Sequence, residues 1–312
     1  MKRGESAPAR VEPKPPTPPM VLARSLEEAP PRAFVHVDNQ GRVRSPARYR
    51  ALQAISYGAA GTLVVGVTAF YGALLGIPGV AIGVGLSAYL AWHIRRGRRL
   101  EEATRLIVHD RLDEAEQLLV GILRSWRCPR PVKALAEQNL AMVFIRRGDF
   151  EKALEHQRAA MILYAKLRSK SVFARTVEYG EVVTLVNLGR TGEARQRLEQ
   201  RGAVPAGDYL RLQHWVAELY VCLAEGEHRL SPDELHERAR VALSITGAGA
   251  LLGLAAWAHA YKNDLDQAWH LLREAFDRRE GFPIDRGLPK LHAWMESHAA
   301  EAGATLSTDD ES

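Results

Sequence analysis

The 312-residue chain has little cysteine and few aromatics: two cysteines, and 7% Phe, Trp and Tyr. Two thiols, Cys128 and Cys222, cannot build a disulfide framework, which excludes the small stapled scaffolds of secreted proteins. A sharper absence is local. Residues 51–94 contain no Asp, Glu, Lys or Arg. The acid shortage is local too: residues 1–50 hold 10 Lys/Arg against 5 Asp/Glu, so the formal charge of +5 arises there. Residues 95–312 balance at 32 of each sign. A folded part with no net charge lacks the basic surface that nucleic-acid binding requires, so no nucleic-acid partner is expected.

The charge-free run is 44 residues long. A helix needs ~20 apolar residues to cross a bilayer core, so the run suffices for two crossings and is too long for one. Gly76 suits a helix end and Pro78 a first helical turn, which predicts helices over about 52–75 and 78–96. Arg42, Arg44, Arg48 and Arg50 precede the run, and Arg95, Arg96, Arg98 and Arg99 follow it. Basic flanks stay cytoplasmic, so a two-span hairpin with both termini inside is expected. The alternatives are a single kinked span and a buried soluble hairpin. Tyr49, Tyr57, Tyr71, Tyr89 and Trp92 fall where interfacial aromatics occur. Gly72 and Gly76, and Gly79 and Gly83, are four apart, the spacing that lets helices approach closely. This leaves open packing of the hairpin on itself and homo-oligomerisation through it. No hydrophobic stretch follows Met1, so no cleaved signal peptide is expected. Richness in Arg, Ala and Gly points to a bacterial inner membrane.

Residues 1–50 hold 9 of the 16 prolines. They are expected to be a disordered, Pro-rich, basic cytoplasmic tail. Alternation around Asn39–Gly41 predicts a short β-hairpin within it.

After Arg95 the apolar residues recur at helical spacing, broken by short Gly/Asp turns. In the clearest unit, Leu140, Ala141 and Phe144 precede Gly148-Asp149, and Phe150, Ala153, Leu154 and Ala160 follow. Large residues on one helix can nest in small notches on the next. This unit resembles the tetratricopeptide repeat, a helical hairpin of ~34 residues. Further units fit around Asp113-Glu114-Ala115, Gly192-Glu193-Ala194, Ser231-Pro232-Asp233-Glu234 and Ala268. The alanines Ala115, Ala153 and Ala194 are 38 and 41 apart, and Ala268 lies far enough on for a repeat between. The expected fold is all-α: a transmembrane hairpin over 51–96, a solenoid of such repeats over 97–302, and an acidic tail over 303–312. Residues 288–302 are expected to cover the exposed end of the stack.

No catalytic constellation stands out. His292 and His298 are six apart, and Glu234-Leu235-His236-Glu237 lacks the second His of a zincin helix. Neither cysteine has partners at zinc spacing. No metal, cofactor or enzymatic role is expected. The resemblance implies a concave face built from first helices. Gln138, Arg146, Tyr179, Asn187, Arg211, His214, Trp257 and Tyr261 would line it, with Met142, Val183 and Glu218. It would bind a protein or peptide, making the chain a membrane-anchored scaffold or adaptor. The alternative is an oligomeric hairpin acting as a channel or translocation element, with the repeats as a regulatory collar.

Overall fold

The computed structural model describes residues 77–303, apart from 127, 168–170, 203, 206, 247 and 278–283, and isolated positions between 32 and 73. The Pro-rich tail over 1–31, most of the expected first span and the acidic tail after 303 lie outside the described residues.

Apart from two short strand pairs, the described chain is helical and repeat-like. Five helical hairpins follow one another: α1 (Ile77–Val108) with α2 (Leu112–Arg124), α3 (Arg130–Arg146) with α4 (Phe150–Lys166), α5 (Val172–Asn187) with α6 (Thr191–Glu199), α7 (Asp208–Glu225) with α8 (Pro232–Leu243), and α9 (Gly249–Tyr261) with α10 (Leu265–Asp277). First helices stack on first helices, α1 on α3, α5 on α7 and α7 on α9.

One device closes every hairpin. Asp110, Gly148, Gly189, Gly226 and Asn263 all have φ between +58° and +75°. They are 38, 41, 37 and 37 residues apart. At each, the following N–H reaches back to the carbonyl five residues earlier: Arg111 to Leu106, Asp149 to Phe144, Arg190 to Leu185, Glu227 to Cys222 and Asp264 to His259, at 2.9–3.2 Å. This is the Schellman ending, which satisfies the orphan carbonyls of a helix and reverses the chain. Glycine takes the left-handed position three times; Asp110 and Asn263 are the polar residues that tolerate it.

Five residues beyond the left-handed position stand Ala115, Ala153, Ala194 and Ala268, each with no exposed surface. They are the notches expected from the sequence, and Leu140 and Phe144 are buried with Ala153 in one core cluster. The fourth unit differs. Its turn is followed by a loop, and α8 starts at Pro232 under a complete Ser231/Glu234 capping box.

The first hairpin is unusual in length. α1 has 32 residues and runs without a break through the expected boundary at 96, spanning about 48 Å. Its first 18 residues, Ile77 to Ile94, carry no formal charge. Among the described residues no helix is long and apolar enough to cross a membrane.

Two-residue strand pairs complete the picture. β2 (His36–Val37) and β3 (Val43–Arg44) pair antiparallel, around the predicted turn. β1 (Arg32–Ala33) pairs parallel with β4 (Ile245–Thr246), between α8 and α9. The N-terminal segment thus touches the repeats at a point the sequence, read as a free tail, does not indicate.

Candidate binding face and the segment seated on it

Counting back from the left-handed residue fixes the register of each first helix. Two, six and ten residues before it stand Arg146, Met142 and Gln138; Asn187, Val183 and Tyr179; Ala224, Tyr220 and Val216; Tyr261, Trp257 and Gly253. Positions four apart lie on one helical face. The first two triplets are those expected from the sequence, as are Tyr261 and Trp257 of the last. The third differs: counting back from Gly226 puts Val216, Tyr220 and Ala224 on this face, in place of Arg211, His214 and Glu218.

The segment expected to cover the end of the stack lies against its last hairpin and also reaches back along it. α11 (Ile284–Gly287), α12 (Pro289–Ser297) and α13 (Ala299–Ala302) follow α10. α13 packs on α10, and α12 lies on α7 and α9. Leu288 and Leu291 have no exposed surface and Met295 has 1%. A methyl group on Gly253 would come within 2.8 Å of Met295 Sδ, so the missing side chain is what lets α12 approach α9.

The segment is held by side chains reading its main chain. Asn187 Nδ2 donates to the Gly287 carbonyl at 3.0 Å. Tyr220 Oη donates to Asn187 Oδ1 at 2.5 Å and accepts from the Lys290 N–H at 3.4 Å. That N–H lies in the first turn of α12, where no intrahelical partner exists. Burial pushes the Tyr220 phenol above its ordinary range, so it stays a donor. Further back along the stack, Arg286 Nη1 lies 2.9 and 3.0 Å from the two Asp110 oxygens. Arg146 is 3.7 Å from the same carboxylate. Between them opens a cavity of about 460 Å³ lined by Leu112, Arg146, Arg147, Gly148, Phe150, Asp285, Arg286 and Pro289.

The other predicted residues fall in three places. Gln138 accepts from Tyr164 Oη at 3.1 Å, within its own hairpin. Tyr179 and His214 meet edge to face, 5.5 Å between ring centres, and both are buried; burial raises the phenol and lowers the imidazole. Arg211 lies over the Trp215 ring at 5.2 Å, and Arg238 lies over it at 5.5 Å. Trp257 and Tyr261 surround His228, with ring centres at 5.7 and 5.1 Å. Trp257 is buried, whereas Tyr261 is 49% exposed.

No protein-family model, curated protein or solved structure matches the chain. The geometry therefore stands alone.

Sequence reasoning missed Asp110, Tyr220, His228 and Arg286. His228 sits in the loop before α8, its Nε2 2.9 Å from the Ala258 carbonyl. It borders a second cavity of about 490 Å³ with Cys222, Arg195 and five glutamates, Glu199, Glu218, Glu225, Glu227 and Glu234. Arg195 pairs with Glu225 there, and burial raises the Cys222 thiol, which removes it from the class of reactive thiolates. Among the described residues no group of His, Cys, Asp and Glu is placed to hold a metal ion.

Proposed function

We propose that the chain is a scaffold of tetratricopeptide type, anchored in a bacterial inner membrane by a two-span hairpin over 51–96. Both termini lie on the cytoplasmic side, and the first-helix face takes a segment of a protein or peptide partner. The proposal assigns the chain no catalysis and no cofactor.

One observation carries the binding part. The face already holds a stretch of polypeptide, and does so in part through main-chain groups, with Asn187 donating to a carbonyl and Tyr220 accepting an N–H. Backbone recognition of this kind is indifferent to sequence and suits a face built to take peptide. Arg146, Trp257 and Tyr261, on the same face, supply the residue types that anchor interfaces. The anchoring part rests on the 44 residues without a formal charge and the arginines on both sides of them. The structure adds no argument for the channel alternative.

Co-purification tests the proposal. The tagged full chain, extracted from membranes with mild detergent, should retain a partner that Arg146→Ala and Tyr261→Ser release. Retention unchanged in both variants would place binding elsewhere.

A further inference from the structure

The hairpin stack has two unlike ends. At one lie the five left-handed turns, with the acids Asp113, Glu114, Asp149 and Glu193 close by. At the other lie the connections from each second helix to the next first helix. α1 and α2 are antiparallel about the turn at Asp110, so equal counts along each put Trp126 about level with residue 94. The connections therefore lie beside the arginines that end the charge-free part of α1.

The first two connections are basic, and each of the first three carries an exposed apolar side chain. Trp126 is 81% exposed, Phe173 44% and Val204 46%. They sit in, or one turn from, three successive connections. Arg124 and Arg130 around the first, Lys166 and Arg175 around the second, and Arg95, Arg98 and Arg99 on α1 are all exposed. From 124 to 133 and from 166 to 175 the sequence holds no acid. Isolated exposed apolar residues are ordinary; one at each of three neighbouring connections, with cations and no acids around the first two and the first about level with the point where α1 turns apolar, is a patterned surface. Tryptophan with arginine is the combination found where protein meets lipid headgroups, and clustered cations are drawn to anionic lipid.

We propose that this end of the repeat stack rests on an anionic membrane surface, with Trp126 and Phe173 entering the headgroup layer. The stack would then stand on the bilayer with its turns facing away. This rests on the anchoring reading above, and adds a second contact made by the repeats themselves.

Hydrogen exchange of the full chain in nanodiscs tests it, with flotation on liposomes as the companion measurement. A chain that floats with neither phosphatidylcholine nor phosphatidylglycerol liposomes overturns the anchoring reading, and this contact with it. Where the chain inserts, amides of 123–131 and 171–177 should exchange more slowly in nanodiscs containing phosphatidylglycerol than in phosphatidylcholine alone. The slowing should be lost in Trp126→Ser and in Arg124→Glu/Arg130→Glu, and weakened by salt. Because these side chains are exposed, the variants should keep the exchange pattern of the core helices. Equal exchange in the two lipids, with the chain inserted, overturns the contact. Slowing that persists in lipid-free detergent assigns the face to contact between copies of the chain and overturns it as well.

Discussion

Tyr220 Oη donates to Asn187 Oδ1 at 2.5 Å, and through that bond two stacked repeats jointly hold the C-terminal segment. Tyr220 has no exposed surface, so nothing but Asn187 and the Lys290 N–H satisfies its hydroxyl. Tyr220→Phe would deprive a part-buried amide oxygen and a helix-start N–H of their partner. Losing a typical hydrogen bond costs about 0.5–1.5 kcal/mol net. The expected result is a lower denaturant midpoint for the full chain, together with faster hydrogen exchange at 287–291. Unchanged exchange there would mean the segment is held by its apolar side chains alone.

The left-handed turns make a paired prediction. Gly148→Ala and Gly189→Ala place a Cβ where φ is +75° and +74°, which should cost about 1–2 kcal/mol each. Asn263→Gly, at φ +62°, should leave the thermal midpoint level or raise it. Equal effects of all three would show that the turns do not set the repeats.

Ala153 tests the notch between helices. It has no exposed surface, so Ala153→Leu overpacks the crossing at a cost of about 1–3 kcal/mol. Glu155 is exposed on the same helix, and Glu155→Leu should stay within about 0.5 kcal/mol. A thermal melt that ranks them the other way would reverse the inner and outer faces of α4.

Acid should loosen the stack. Burial lowers the pKa of His214, His228 and His259 below the ordinary 6.5. Between the depressed folded values and 6.5 the unfolded chain binds more protons, so stability rises with pH there and is lost as pH falls below about 6.5. Urea midpoints should therefore drop from pH 7.5 to pH 5.5, and drop less in His259→Gln. A midpoint flat across that window would mean these imidazoles take up protons without loss of structure.

Much of the fold was legible in the sequence because repeats announce themselves locally. The Gly148-Asp149 turn and the alanines at Ala115, Ala153, Ala194 and Ala268 mark hairpins wherever they stand. Asp110 and Asn263 were not recognised as turn residues, since they hold the left-handed position without being glycine. The fourth register slipped for a related reason. Gly226 sets the register of α7 as Gly148 and Gly189 set theirs, but a loop separates it from the helix start at Ser231-Pro232. The seat of α12 had no local signal at all. It depends on the missing side chain of Gly253 meeting Leu291 and Met295 across tertiary space. The continuity of α1 through 96 was hidden because a change from apolar to charged residues marks an environment, and the backbone needs no break there.

The most direct measurement is photo-cross-linking in native membranes from single positions on the full chain. A photoreactive residue replacing Tyr261, on the first-helix face and 49% exposed, should form a discrete adduct with another protein. The same residue replacing Glu155, exposed on a second helix, should form none. Adducts from Glu155 with none from Tyr261 would contradict the account, because the first-helix face would then not be the surface that meets the partner.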